Sequence, residues 1–357
     1  MTAPSPDGPK RAKSRAWLLE QTERLCRHDT TTGREDSGLA ALRELLESMG
    51  AKVELQRIAR DRHNVLATWG DPQVVFSTHL DTVPPFLPPK RAGDVLSGRG
   101  TCDAKGQIIA QLGAIADLLA QGHEALGWLG VIGEETDSIG ADAAHALMPQ
   151  LANCRAIING EPTENLLATG QRGSLQLKLS TQGVAAHSGM PELGRSAILP
   201  MLDWIAALRA LPGATHKDLG DEIWNLGRLQ GGSAPNVIPA LAEAELFVRS
   251  LPESRFEQRV RELAPAEGLV ERTSYTAPET FPRIPGFEHA VVPFGSDAPK
   301  LRQLIDGGTI ALCGPGSIKV AHTLDEHITG EQLERGRDLL HALAQNLLAQ
   351  DLPTQPR

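Results

Sequence analysis

Acidic and histidine residues gather where apolar runs give way to loops: His79 and Asp81 in HLDTVP, Asp103 in GRGTCDAKG, Glu134 and Glu135 in GEE, Glu161 in NGEPT, and His322 in AHTLDEH. Imidazole nitrogens and carboxylate oxygens are the usual protein ligands of divalent cations, and a set of this size can hold two ions and still supply a base. Metal-assisted hydrolysis is the chemistry it points to.

Each residue also has a plainer job, so its setting matters. His79 and Asp81 are spaced i, i+2 and share one face of an extended segment, where one can ligate while the other accepts the second ring N–H of a bound imidazole. An HxD triplet alone carries little, but this one follows a buried-strand pattern and precedes TVPP. Asp103 precedes a helical pattern and could simply cap it. A carboxylate also has two oxygens and can be shared by two cations, so Asp103 is the expected bridge. Glu134 and Glu135 are adjacent at a strand end, where consecutive side chains diverge. One can ligate while the other moves a proton from water to the leaving amine; otherwise the pair is a solvated acidic loop. Glu161, stiffened by Pro162, offers another hard oxygen. His322 is the preferred last ligand, with His327 competing for the role. Ligands drawn from separate segments differ from the local sets of zinc fingers.

The elements that must position these groups follow from periodicity. Helical spacing covers Arg15 to Arg27 and Ser37 to Met49, with Gly50 suited to a left-handed cap. Strand patterns cover Ala51 to Arg57, Asn64 to Trp69, Val74 to Leu80, LGWLGVIG and CRAIING, with helices at Ala104 to Gly122 and around Gly140 to Leu151. This alternation predicts a mostly parallel α/β sheet, whose ligands collect at the carboxyl ends of its strands. From Ser174 the order becomes β-α-β-β-α-β, ending near Thr276, the split βαβ pattern of a self-contained insertion. Helix Ala298 to Ile305, strand TIALCGPG and helix Gly330 to Ala349 then complete the first unit. The expected division is therefore 1–173 with 280–357 for a discontinuous catalytic domain, and 174–279 for the inserted domain.

Composition narrows the partners. A formal charge of -9 over 357 residues offers no footprint for phosphate backbones, so nucleic acid is not expected. No apolar run reaches the roughly 20 residues that span a bilayer. The segment MTAPSPDGPKRAKSRA lacks an apolar signal core and reads as a disordered lead-in. Cys26, Cys102, Cys154 and Cys313 form no CxxC pair, consistent with a reducing, cytoplasmic setting, and Cys102 reads as small filler beside Asp103.

In their order, the five motifs resemble those of a di-zinc amidohydrolase and exopeptidase family that includes acetylornithine deacetylase, succinyl-diaminopimelate desuccinylase, N-acetylcitrulline deacetylase and glutamate-releasing carboxypeptidases. The resemblance runs from about Leu18 to Ala349. It implies a zinc exopeptidase-like catalytic domain and a ferredoxin-like lid and dimerisation domain. It also implies two divalent cations, zinc first, with cobalt or manganese as alternatives. His79 and Glu161 would hold one ion and Glu135 and His322 the other, with Asp103 between them. Asp81 would orient His79, and Glu134 would be the base that activates a water shared by the metals. A cis peptide would join Asp103 to Ala104.

The resemblance further implies that His187, in GVAAHSGMPELGRSA, reaches across a homodimer to polarise the scissile carbonyl, unless it is a plain surface histidine. Asn236, Arg249 and Arg172 would contact substrate, Arg249 as a carboxylate clamp; a structural ion pair is the alternative for Arg172. Glu161, where other branches carry Asp, and the loop GSDAP resemble the deacylase and carboxypeptidase branch. PPFLPPKRAGDVLS departs from the family, lacking its usual Trp and Asp-Pro-Phe element, so the shape of the substrate mouth is not implied. The implied activity is deacylation of a small N-acyl amino acid of the acetylornithine or acetylcitrulline type. Desuccinylase-like and carboxypeptidase-like hydrolysis are the alternatives, and a non-catalytic metal-binding protein on the same scaffold is the reading from another class.

Overall fold

The structure, a computed structural model, describes residues 13–305 and 307–350. Most of the expected N-terminal lead-in lies outside them. The chain divides into two units, one extending to Ala168 and resuming at Phe281–Ala290 and from Ser296, the other comprising Thr169–Thr280 and Val291–Gly295.

The first unit is built on a six-stranded sheet in the order Lys52–Ala59, Arg62–Trp69, Leu126–Val131, Val74–His79, Ala156–Asn159, Thr309–Leu312. The last four strands run parallel, and the first two form an antiparallel hairpin along one edge. Val74–His79 and Leu126–Val131 are buried at every position, as strands covered on both faces require. Helices Arg15–Cys26, Lys105–Ala120 and Gly330–Ala349 contribute Leu18, Ile109, Ile115, Leu340 and Leu343 to the core. Trp128 is buried there, and its indole N–H donates to Gln111 Oε1 at 2.9 Å, which satisfies its one polar group.

Two local expectations change, and one segment gains elements for which the sequence carried no expectation. The segment after the GEE loop is α-helical only over Ile139–Ala143 and continues as a 3₁₀ helix over Ala144–Leu151, where Pro149 lacks the N–H an α-helix needs. Ala298–Ile305 likewise forms one short helix, Ala298–Leu301, followed by a 3₁₀ turn over Arg302–Leu304. The Pro-rich departure segment contains a hairpin, Lys90–Ala92 with Val95–Ser97, and His327–Thr329 adds a third strand to it.

The second unit has the predicted β-α-β-β-α-β order: Gly173–Gln182, Ile198–Arg209, Ile223–Gly231, Leu241–Ser250, Phe256–Glu262, Gly268–Thr276. Its sheet is antiparallel throughout, with Leu241–Ser250 and Gly173–Gln182 at the centre, the ferredoxin-like arrangement. Alternation along Gly173–Gln182 buries Leu175, Leu177 and Leu179 against Met201, Trp204 and Val260. No helix among the described residues is long and apolar enough to cross a membrane.

Candidate metal centre

The strand ends deliver the acidic and histidine residues to one place. His79 ends its strand, Glu134 and Glu135 follow Leu126–Val131, and Glu161 lies just past Ala156–Asn159. Asp103 Oδ1 lies 2.9 Å from His79 Nε2, while Oδ2 lies 3.3 Å from His322 Nε2. His322 Nε2 is in turn 2.9 Å from Glu135 Oε2. One ligand atom each from His79, Asp103 and Glu135 fall within 4.8 Å of one another. Asp103 does not cap the following helix, whose cap position is Ala104 without a side-chain bond, and the Asp103–Ala104 peptide is cis. His322 rather than His327 joins the cluster. His327 instead sits on the three-stranded sheet, with Nδ1 against the Asp325 carbonyl.

Asp81 does more than the i, i+2 spacing suggests. His79 Nδ1 meets the Asp81 backbone carbonyl at 2.9 Å, with the carboxylate farther off at 3.6 Å. That carboxylate instead gathers the GEE loop: Gly133 N–H (2.9 Å) and Glu134 N–H (3.2 Å) donate to Oδ1, and Glu135 N–H (3.2 Å) and the Thr32 hydroxyl (2.9 Å) donate to Oδ2. Asp81 thus orients both His79 and the backbone that carries Glu134 and Glu135.

Crowded carboxylates set the electrostatics. Burial, then repulsion from Asp297, Glu135 and Asp103, pushes the Glu134 carboxyl well above the usual range, against the pull of His79. Glu161 is raised in the same way, by burial and by its acidic neighbours Asp103, Glu134 and Glu135. The imidazoles are raised too, but by attraction to the acids, which favours their charged form. Burial opposes the charge on His79, but hydrogen bonds to Asp103 and Asp81 outweigh it and raise its pKa well above 6.5. Hydrogen bonds to Asp103 and Glu135 raise His322 to about 10.

A cation needs the neutral imidazole lone pair, so a ring that is charged must give up its proton if it is to serve as a ligand. Titration of the metal-free protein near pH 7.5 should release protons, that of His322 among them, and affinity should rise with pH as the ligands deprotonate. Calorimetry in buffers of different ionisation enthalpy reads this directly. No net release would contradict the charged-imidazole state.

Two buried acids were not singled out from sequence. Glu326 is 1% exposed, and its Oε1 accepts the N–H groups of Gly100 (2.9 Å), Cys102 (3.1 Å) and Asp103 (3.1 Å). Arg99 Nη1 donates to its other oxygen at 2.5 Å. Asp297, in the GSDAP loop, has no hydrogen-bond partner at ordinary geometry for either oxygen among the described residues. Burial raises it to about 6, against a lowering by the Ser138 hydroxyl. The signal in the sequence was the resemblance of its loop, GSDAP, to one in the deacylase branch.

Residues 169–266 match the peptidase dimerisation domain of the M20 peptidases. An M20 domain-containing protein of Schizosaccharomyces pombe is 34% identical over 336 residues, covering 89% of this chain and 82% of that protein. This chain belongs to the M20 peptidase family. A protein of Aspergillus niger, named as a probable carboxypeptidase, is 34% identical over 346 residues, covering 85% of this chain and 83% of its own. The M20 fold is likewise that of aminopeptidase PepT from Bacillus cereus (TM-score 0.77, 19% identity, 95% of this chain and 100% of that one). It is also that of the dinuclear metal-binding M20 peptidase YxeP from Bacillus subtilis (TM-score 0.67, 16% identity, 94% and 98%). As a member of the M20 family, the protein is a metallo-hydrolase of amide bonds.

The remaining sequence-selected residues lie in the M20 dimerisation unit. His187 is exposed and pairs as an isolated bridge with Val237, while Ser188 N–H donates to the Asn236 carbonyl at 3.0 Å, so His187 and Asn236 are neighbours. The Arg249 guanidinium stacks over the Phe247 ring at 4.7 Å. Gly295 packs beside it, since a Cβ there would lie 3.6 Å from Arg249 Nη1. Arg172 is buried and donates from Nε to the Leu219 carbonyl at 2.8 Å, but its Nη1 has no partner. Among the described residues no ion pair to Arg172 is formed.

Proposed function

We propose that this M20 enzyme hydrolyses the amide of a small N-acyl amino acid, of the acetylornithine or acetylcitrulline type. Two divalent cations would serve it, zinc first, with cobalt or manganese as alternatives. The observation that carries the reading is the Asp103 carboxylate, whose two oxygens face two different imidazoles at 2.9 and 3.3 Å. His79 and Glu161 would hold one ion, Glu135 and His322 the other, and Asp103 both; this mixed nitrogen and oxygen set suits zinc. When bound, the ions supply Lewis acidity toward water and the scissile carbonyl.

Glu134 takes the proton from the attacking water and returns it to the departing amine. Its raised pKa and its place beside the ligand Glu135 support that task. Asp81 fixes the backbone from which Glu134 projects. His187 donates to the developing oxyanion from the partner copy of a homodimer, a role supported by its exposure and by the dimerisation domain around it. Arg249 and Asn236 take the substrate's carboxylate and amide. Arg172, with a buried unpaired Nη1, offers a second anion contact. Four buried, unpaired cysteines support a reducing cytoplasmic setting.

A carboxypeptidase reading is favoured by the name of the Aspergillus niger relative. It uses the same machinery, since a peptide ending in a free amino acid is itself an N-acyl amino acid. Purified enzyme loaded with zinc and offered N-acetylornithine, N-acetylcitrulline, succinyl-diaminopimelate and dipeptides separates these readings. Acetyl substrates are expected to give the highest kcat/KM. A preference for dipeptides would transfer the assignment to carboxypeptidase, and turnover of none would sink both.

A further inference from the structure

We propose that Glu326 is a positioning residue that sets the spacing between Asp103 and His322. The inference rests on the two-metal reading and concerns how the chain builds that centre. Asp103 and His322 come from distant segments, so some contact must bring them together. Glu326 is the buried carboxylate that does it. Its Oε1 collects three N–H groups from the 100–103 turn, the last of them Asp103's own. The Glu326 backbone carbonyl also accepts from Gly98 N–H at 2.9 Å, at the start of the same turn.

The flanking chain is zipped in register with that turn. Ser97 pairs with His327, Leu96 with Ile328 and Val95 with Thr329. Arg99 completes the clamp. It donates from Nη1 to Glu326 Oε2 at 2.5 Å and from Nε to the Pro85 carbonyl at 3.3 Å, and it is 1% exposed. His322, four residues before Glu326, holds a left-handed φ of 65° and reaches Asp103 Oδ2. A carboxylate is suited to this task because one of its oxygens can accept several convergent N–H groups while the other holds a guanidinium. With the turn anchored to the segment carrying His322, Asp103 presents one oxygen to each imidazole. Without the anchor, the second cation would lose the register between two of its ligands.

Manganese titration followed by electron paramagnetic resonance tests this, because a close, bridged manganese pair gives a spin-coupled spectrum and isolated ions do not. The wild-type protein should bind two ions per chain and show the coupled signal. Glu326→Ala should bind the second ion about 10-fold or more weakly, the range for losing an outer-shell partner, and lose the coupling. Glu326→Gln keeps an oxygen for the three N–H groups and should restore the coupled spectrum. An alanine variant with wild-type affinity and coupling overturns the proposal, whatever its melting temperature. So does a glutamine variant as impaired as alanine, because the three N–H contacts to Oε1 would then not be what sets the spacing. If the alanine variant does not fold, Glu326→Asp, one methylene too short to reach the turn, carries the same expectation. A wild-type protein that takes up no manganese pair removes the two-metal reading, and this proposal falls with it.

Discussion

Glu134→Ala is expected to retain its metal ions and to lose about 10² to 10⁴ in turnover, the usual worth of a positioned acid-base group. The separation of the two effects follows from how the loop is held. Asp81 Oδ1 and Oδ2 grip the backbone N–H groups of residues 133 to 135, and the alanine side chain disturbs none of these bonds. Glu135 therefore stays beside His322, 2.9 Å away, and the proposed cation ligands keep their places. What is lost is the carboxyl that burial and its acidic neighbours hold above the ordinary range. Metal analysis and steady-state kinetics on the same preparation decide the matter. Near-normal turnover would remove Glu134 from the mechanism, and an equal loss of metal would make it a ligand instead.

Asp103→Ala should have the largest effect on metal content. It removes the one side chain among the described residues that faces both imidazoles, so affinity should fall for both cations by more than the roughly 10- to 100-fold that loss of an outer-shell partner costs. Turnover should vanish with it. The turn itself should survive, because the bonds to Glu326 are made by backbone N–H groups, including that of residue 103, which alanine keeps. Circular dichroism is thus expected to match the wild type while metal content collapses. Retention of one ion at full affinity would show Asp103 to be a ligand of a single metal. Retention of both would end its assignment as a shared ligand.

How much of this could be read in advance depended on how local each signal is. The buried strands Val74–His79 and Leu126–Val131 announce themselves by unbroken apolar runs, and acids at their ends were readable from short windows. The β-α-β-β-α-β unit was equally plain, because alternation over Gly173–Gln182 and Leu241–Ser250 has a period of two residues and needs no distant partner. The hairpin at Lys90–Ser97 was not. Its strands are three residues each and are completed by His327–Thr329, too short to show a pattern without the neighbour that pairs with them.

The residue types at the centre, and the order in which they occur, were therefore properties of the sequence alone. Which histidine joins them was decided in three dimensions: His322 meets Glu135 across 187 residues, while His327 is taken up by a sheet edge. Glu326 reaches Gly100 across 226 residues, and the Asp81 carboxylate turns to the loop at 133 to 135. Periodicity and capping describe interactions a few residues apart, whereas hydrogen bonds to buried carboxylates form only when folding brings remote backbone N–H groups to meet them.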